Sequence, residues 1–487
     1  MSTLCLYRLA LIPYHSWVTH SNWTLHDLGS HILRGERYMV GNIIYTRQLG
    51  IDIIIINSET IARELLNKRS AIYSDRPVIR TNELAGMAFN TALLPYGETL
   101  QRHRTIYHQV LRAEASASYH EMYTRQASEL VIDLLDASAD PHNLTHTCDR
   151  YPACLITAVT YGHIARRDGD PVLGRLHELA NIINRVITAE KAALFTAFPF
   201  LEKLPAWCFS GDYALLERSR ELCQQLLNEP FNEVKEQMAA GTASQSLVAD
   251  FLSQADDDAD EHMMKAIALT ASLAGSESTA ATIHTFILAM VLYPDVQARA
   301  RAELNQVVKH DKIPSLHDRD SLPYLEAVLR EVLRWSPVVP LGLPHATSED
   351  DVYDGYFIPK GTVIMVNQWA LSRDEDEFPD ASRFDPNHHL TVDGQLKDRH
   401  TGNLFVFGFG RRICPGRWFA MDALWIGMAA ILSVLRIDHA GDLNGKRIEV
   451  RPEFTAGVSV RPQDFACSFE SINAAREGQL RAMINLK

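Results

Sequence analysis

A chain of 487 residues with 46% hydrophobic and 22% charged residues has an ordinary globular composition and can bury a large core. Its 47 basic residues against 60 acidic ones give a net charge of −13, which argues against a general nucleic-acid-binding protein. Seven widely spaced cysteines form neither a disulfide framework nor a paired zinc motif, which favours a reducing compartment.

Residues 1–34 predict an atypical N-terminal segment without a clear membrane anchor. Their apolar stretch is interrupted by Arg8, Pro13 and His15 and is too short to cross a bilayer. The segment also lacks the charged start and the small-residue cleavage site of a secretory signal. We therefore expect a single folded domain over residues 35–487.

The remaining elements predict a mostly helical fold with small β-sheets near both ends of the domain. Residues 43–57 are rich in β-branched residues around a glycine and predict two paired strands. Residues 58–73 predict a helix capped by Ser58, with an ion pair between Glu59 and Arg63. Helical periodicity dominates from about residue 98 to 340. Beyond it, residues 353–368 predict a strand, a turn and a second strand.

A long apolar stretch at residues 263–294 predicts either a buried helix or a membrane span. Glu277 and His284 are disfavoured in lipid, which favours the buried helix. A buried acid needs a partner or a function. Gly275, next to Ser276 and Ser278, can bend the helix locally and leave polar groups facing a ligand.

The stretch at residues 324–337 predicts a helix on which Glu331 and Arg334, three residues apart, share one face. On spacing alone, most such pairs are solvated and contribute little to stability.

The segment "FVFGFGRRICPG", residues 405–416, carries the strongest chemical signal. Cys414 precedes a predicted helix, where amide groups stabilise a thiolate that can act as a nucleophile or a metal ligand. The glycines allow a flat ligand to approach the backbone closely, and Arg411 and Arg412 can neutralise anionic groups on it. A heme with two propionates meets these requirements.

The pattern Phe407-x-x-Gly410-x-Arg412-x-Cys414-x-Gly416 resembles the heme-binding signature of the cytochrome P450 family. The resemblance implies the cytochrome P450 fold, mostly α with small β-sheets in a single heme domain, and heme b as cofactor. It makes Cys414 the axial thiolate ligand of the iron and Arg412 a propionate contact. By the same resemblance Phe407 packs beside the ligand loop, Gly410 belongs to that loop, and Gly416 lets the last helix lie against the porphyrin.

The same resemblance gives Glu331 and Arg334 a structural role, as a buried pair that fixes the loop beneath the heme. The third partner in the family is an arginine. Here His388 occupies the expected position, and Arg383 is a second possible alignment.

The segment from Ala274 to Thr279 resembles the oxygen-activation motif of the family, with Glu277, Ser278 and Thr279 as the catalytic residues. A carboxylate beside a hydroxyl can relay protons to oxygen bound at the iron.

Arg104 and His345 take positions at which the family contacts the heme propionates, whereas Leu100 replaces the usual tryptophan. The wording of several segments, such as "KRSAIYSDRP" and "FPFLEKLPAW", is most like fungal enzymes of secondary metabolism, including the O-methylsterigmatocystin oxidoreductase-like group.

The resemblance therefore implies a monooxygenase that inserts one atom of dioxygen into an apolar small molecule, such as a terpenoid or polyketide. Its electrons would come from NADPH through NADPH-cytochrome P450 reductase at the cytoplasmic face of the endoplasmic reticulum membrane. Two alternatives stay open. A reductase-independent peroxygenase or isomerase is disfavoured by the pair Glu277 and Ser278. A heme-binding sensor or inactive relative is suggested by Leu100, by His388 and by the lack of a clear anchor.

Overall fold

The computed structural model describes residues 41–48, 50–136, 141–187, isolated positions between 191 and 201, and then 212–254, 260–397, 404–442 and 444–485. The predicted N-terminal segment lies outside the described residues. The α-helices are α1 Glu59–Ala62, α2 Arg80–Leu84, α3 Glu98–Leu111, α4 Ala113–Ser116, α5 His120–Asp136, α6 Pro141–Tyr161, α7 Pro171–Val186, α8 Asp212–Ala239, α9 Leu247–Gln254, α10 Glu261–Leu292, α11 Pro294–Val307, α12 Pro323–Trp335, α13 Gln368–Leu371, α14 Arg417–Val434 and α15 Ala474–Asn485. The strands are β1 Ile43–Gln48, β2 Ile51–Ile56, β3 His345–Ala346, β4 Asp351–Tyr353, β5 Tyr356–Ile358, β6 Val363–Val366, β7 Leu435–His439 and β8 Cys467–Ser471.

The expected early hairpin forms, with β1 antiparallel to β2, and strands from much later in the chain extend it into a sheet. β6 pairs in parallel with β2, and β3 completes the order β1-β2-β6-β3. The predicted unit at residues 353–368 is divided between two sheets. β5 pairs with β4 across Asp354 and Gly355, both with positive φ, whereas β6 joins the larger sheet. A mostly helical fold with small sheets is therefore confirmed.

The helical core is built around α10 and α14, whose residues are buried along most of their lengths. α10 packs against α6 and α14, and α14 also packs against α5. Within the described part of the chain, α14 is long and apolar enough to cross a membrane by composition, as is the pair α10 and α11 if its bend of 105° is ignored. α14 is mostly buried by protein, as expected of a core helix.

Gly275 lies at a packing contact between two helices. α10 runs as one helix from Glu261 to Leu292. A Cβ atom at Gly275 would lie 2.9 Å from Cγ1 of Ile156 on α6, so the glycine allows these two helices to approach each other. Close packing of α10 on α6 therefore accounts for the glycine.

The last helix is attached through Arg476, a guanidinium with 0% exposure. It donates to the carbonyls of Lys312, Ser433, Val308 and Lys309 at distances of 2.7–3.2 Å. Two of these carbonyls follow the C-terminus of α11, where unpaired carbonyls and the helix dipole favour a cation. One side chain thus joins α15 to the ends of α11 and α14.

We expect Arg476→Met to destabilise the fold by roughly 3 kcal/mol, because the carbonyls that accept from Arg476 lose these hydrogen bonds inside the protein. The measurement is the midpoint of thermal unfolding. Arg481→Ala is the matched control, since Arg481 lies on the same helix in an exposed ion pair with Glu477. Equal shifts in the two variants would contradict the role given to Arg476.

Candidate functional site

Cys414 lies in a closed loop between a short turn at Gly410–Arg412 and the start of α14. The backbone N–H of Cys414 donates to the carbonyl of Phe407 at 2.8 Å, and this bond closes the loop. The N–H of Gly416 donates to the sulfur. Burial nevertheless raises the pKa of the Cys414 thiol and outweighs this amide and the nearby charges of Arg417 and Arg104. The protein alone therefore favours the thiol, and a bound cation would be needed to favour the thiolate.

Gly410 is required by the segment that follows α1. There the helix widens into a π-helical turn over Arg63–Lys68, and Asn67 Oδ1 accepts from the N–H of Gly410 at 2.6 Å. Gly410 has a φ of +55°, and a Cβ atom on it would lie 1.9 Å from the carbonyl oxygen of Leu66. Only glycine fits, which ties the cysteine loop to this N-terminal segment.

Three guanidinium groups, of Arg76, Arg104 and Arg412, converge beside the cysteine loop. Burial and the neighbouring arginines lower the pKa of Arg76 to about 9, and burial with the charge of Arg104 lowers the pKa of Arg412 to about 10. Asp75 is the acid that opposes both shifts. The cluster carries more positive than negative charge and favours an anionic ligand.

Arg412 itself has an unused donor in this cluster. Its Nε donates to the carbonyl of Ser74 at 2.7 Å and its Nη2 to the carbonyl of Leu94 at 2.8 Å. Its Nη1 is buried and has no hydrogen-bond partner among the described residues. A buried guanidinium nitrogen without a partner is costly. An orphaned donor in an excess of positive charge, next to a cysteine, fits the carboxylates of a heme.

Arg104 and His345 reach the same region but differ in what they can donate. Arg104 Nη2 donates to the carbonyl of Ile413, next to Cys414, at 3.0 Å. His345 Nδ1 faces the carbonyl of Tyr73 at 2.8 Å, so this nitrogen carries a proton. Burial and the charge of Arg76 lower the pKa of His345 to about 3. The ring is therefore neutral and its Nε2 can only accept, so His345 would need a second proton to bind a carboxylate.

One face of α10 is exposed in the middle of an otherwise buried helix. Ala274 and Ser278, one turn apart, are exposed, while Ser276 and Thr279 are buried. The Ser278 hydroxyl donates to the carbonyl of Ala274 at 2.9 Å. Thr279, predicted to act with Ser278, therefore does not share its exposed face.

Glu277 turns to a different side of α10. Its Oε1 accepts short hydrogen bonds from the Asn184 amide on α7 and from the Ser459 hydroxyl. It borders a cavity of about 290 Å³ whose other lining residues include Arg185 and Arg461. Burial raises the pKa of Glu277, although these hydrogen bonds oppose the shift. The carboxyl group is thus suited to hold a proton at the wall of a polar cavity.

The buried ion pair of α12 is fully hydrogen-bonded. Glu331 has 0% exposure and accepts from Nε and Nη2 of Arg334, each at 2.7 Å. Arg334 also donates to the carbonyls of Ser372, Ala381 and Arg383 at 2.7–2.9 Å. The structure therefore brings Glu331 and Arg334 together in a buried pair that fixes residues 372–383.

Two histidines complete the surroundings of Glu331. His388 Nδ1 lies 3.0 Å from Oε1 of Glu331, and its Nε2 lies 2.8 Å from the carbonyl of Pro379. Since both neighbours only accept, His388 is fully bonded as an imidazolium. His389 Nε2 lies 3.0 Å from Oε2 of Glu331. Of the two alignments left open, the structure places His388 at the glutamate, whereas the side chain of Arg383 is exposed and its carbonyl alone contacts Arg334.

Sequence reasoning missed residues that act by tertiary contact. These are Asn67, Arg76, Asn184, His389 and Ser459. Only His389 had a local signal, because it adjoins His388. The other four come from distant segments, and no spacing rule connects them to Cys414, Glu277 or Glu331.

Comparison with known proteins agrees with the resemblance carried by the cysteine segment. The family model for cytochrome P450 matches residues 23–465. "Cytochrome P450 monooxygenase 98" of Postia placenta is 34% identical over 482 residues, which cover 96% of this chain and 89% of the relative. "Cytochrome P450 monooxygenase ple1" of Rhodocybe pseudopiperita is 34% identical over 484 residues, which cover 96% of this chain and 87% of the relative.

A solved structure supports the fold. "Zebra fish cytochrome P450 another structure with Abiraterone" superposes with a TM-score of 0.71 at 22% identity and covers 92% of this chain and 100% of its own.

The two histidines at Glu331 predict a stability maximum near the ordinary histidine pKa of about 6.5. Burial would lower the pKa of His388, but the hydrogen bond to Glu331 outweighs burial and raises this pKa overall. The contribution of His388 to folding stability is therefore lost as the pH rises above the ordinary histidine pKa. Burial lowers the pKa of His389, so the contribution of this residue to folding stability is lost as the pH falls below the ordinary histidine pKa. Thermal unfolding measured across this pH range checks both limbs.

His388→Arg should remove the alkaline limb only, because arginine stays charged throughout, and should hold or raise stability at high pH. His439→Arg is a control at a histidine outside this network. An alkaline limb that persists in His388→Arg would show that another group causes it.

Proposed function

Because this chain belongs to the cytochrome P450 family, we propose that it inserts one atom of dioxygen into an apolar small molecule with NADPH electrons delivered by a partner reductase. Its relatives are named cytochrome P450 monooxygenases, and the chain is an oxidoreductase of that class. The relatives are fungal, which supports a role in secondary metabolism. We propose a terpenoid or a polyketide as the substrate.

The proposed cofactor is heme b, with Cys414 as its axial ligand. When bound, a heme with a thiolate ligand supplies the electron density that favours cleavage of the dioxygen bond. The orphaned Nη1 of Arg412 is the observation that carries this assignment, because it leaves a buried donor for a propionate beside the cysteine. Arg104 adds a second cation on the same side.

Ser278 and Glu277 are proposed to move protons from different sides of α10. The Ser278 hydroxyl donates its proton to the carbonyl of Ala274, so its oxygen can accept a hydrogen bond from water at the exposed face. Glu277 can hold a proton at the polar cavity and release it inward. Since the two side chains have different hydrogen-bond partners, transfer between them requires an intervening water.

The basic surface near the cysteine loop is proposed to dock the reductase. Arg102 and Arg411 are exposed and lie on α3 and on the loop itself. Arg417 donates to the carbonyl of Cys414 at 3.0 Å and is only partly exposed, so it is the least free of the three. Local positive charge can attract an acidic partner despite the net charge of −13. We also propose, from the family resemblance, that the enzyme acts at the cytoplasmic face of the endoplasmic reticulum membrane.

We expect Cys414→Ala to abolish the thiolate-type band in the carbon monoxide difference spectrum and all turnover, since the iron loses its ligand. Cys467→Ala, another buried cysteine, is the control and should keep both. A thiolate band that survives in Cys414→Ala would overturn the assignment. Heme binding without turnover by the wild-type chain, with reductase present, would favour a sensor instead.

Ser278→Ala should leave reduction by NADPH normal but divert dioxygen to hydrogen peroxide, because proton delivery at the exposed face fails. Coupling of NADPH use to product should fall by about tenfold. Ser276→Ala is the control, because Ser276 is buried and donates to the carbonyl of Leu273. Peroxide release and product are measured together, and unchanged coupling in Ser278→Ala would contradict the proposed role.

A further inference from the structure

Arg76 connects two loops that are far apart in the sequence. Its Nε donates to the carbonyl of Ala92 at 2.9 Å. Its Nη1 donates to the carbonyls of Leu343 and Pro344 at 2.8 and 2.6 Å. A single guanidinium thus connects the loop before α3 with the loop before β3. The neighbouring residue Asp75 also joins both loops, through its β-bridge with Ala346 and through the bond that its carboxylate accepts from the N–H of Tyr96.

One of these loops contacts α10 next to its exposed face. The turn at Thr91–Leu93 contacts α10 through a bond from the N–H of Thr91 to the hydroxyl of Thr270, at 3.2 Å. Thr270 lies one turn before Ala274, so the turn is adjacent to the face that carries Ala274 and Ser278. Because one guanidinium reaches Ala92 and Leu343 together, the second loop lies beside the first.

The cysteine loop is linked to the same turn by Arg412. Its guanidinium donates to the carbonyls of Ser74 and Leu94. Ser74 lies two residues before Arg76 in the sequence. Leu94 lies two residues after Ala92, the residue whose carbonyl Arg76 contacts. Asp75, between Ser74 and Arg76, accepts from the N–H groups of Arg76 and Tyr96 at 2.9 and 2.8 Å. The segment is therefore held from both sides.

Holding Arg76 in this place has an electrostatic cost. Its pKa is lowered to about 9 by burial and by Arg412 and Arg104. Its carbonyl partners are uncharged, and any side chain that only filled space would avoid this repulsion. What the guanidinium provides is a planar fork that reaches carbonyls in two directions.

We propose that Arg76 is a positioning residue that sets the shape of the substrate cavity, by fixing the separation between the loop of Ala92 and the loop of Leu343 and Pro344. This rests on the proposed function, since it assumes that substrate binds at the exposed face of α10. Arg76 acts through these carbonyls and need not touch the substrate.

The test compares Arg76→Lys and Arg76→Ala with Arg80→Ala. Arg80 is the first residue of α2, four positions further along the chain, and pairs with Glu83. The probes are imidazole and 4-phenylimidazole, which both bind heme iron through nitrogen and differ by one phenyl group. In the holoenzyme that the Arg76 variants retain, imidazole should bind within about twofold of wild type, whereas 4-phenylimidazole should bind about tenfold more weakly. Arg80→Ala should match wild type with both probes.

An unchanged ratio of the two dissociation constants in both Arg76 variants would overturn the proposal, as would an equal change in Arg80→Ala. Should a variant lose heme, hydrogen exchange of the apoprotein replaces the probes. Amides at residues 92–96 and 345–347 should then exchange at least about fivefold faster than in Arg80→Ala, and equal rates would overturn the proposal. Neither measurement needs turnover, so a chain without monooxygenase activity would fail the proposed function while leaving this test valid.

Discussion

The ion pair of Glu331 and Arg334 is the constraint on which the lower part of the fold depends. Both charges are buried, so each must be fully bonded, and removing one would leave the other uncompensated. Their bonds reach carbonyls and amides over residues 372–389, a stretch with little regular structure of its own. Two adjacent turns of α12 thus determine the path of a segment that hydrophobic packing alone would not fix.

The site beside Cys414 follows the opposite rule. There Arg76, Arg104 and Arg412 bring positive charges together with little negative charge, and one donor of Arg412 is left without a described partner. Buried polar groups in proteins are normally satisfied. The fully hydrogen-bonded pair of Glu331 and Arg334 therefore has a structural role. The arginine cluster, with its unbonded donor, is suited to bind an anionic ligand.

The sequence predicted elements whose signals are local. The hairpin of β1 and β2 and the long buried helix α10 follow from residue type and periodicity. The buried pair of Glu331 and Arg334 was instead implied by the family resemblance, because spacing alone favours a solvated pair. Contacts between distant segments could not be predicted from local patterns. β6 pairs with β2 only in the folded chain, and Asn184 contacts Glu277 only because α7 packs on α10. For the same reason, local patterns could not show that the two strands within residues 353–368 belong to different sheets, or that Gly275 packs against Ile156 on α6.

Two glycines near the site face different obstacles, and this gives them different evolutionary freedom. At Gly410 the obstructing atom is the backbone carbonyl of Leu66, which every amino acid carries, so no second substitution could make room for a side chain. At Gly275 the obstruction is the side chain of Ile156. In a divergent homologue, alanine at position 275 should therefore occur together with a smaller residue at position 156, so that the two positions covary. Position 410 should stay glycine whatever residue stands at position 66.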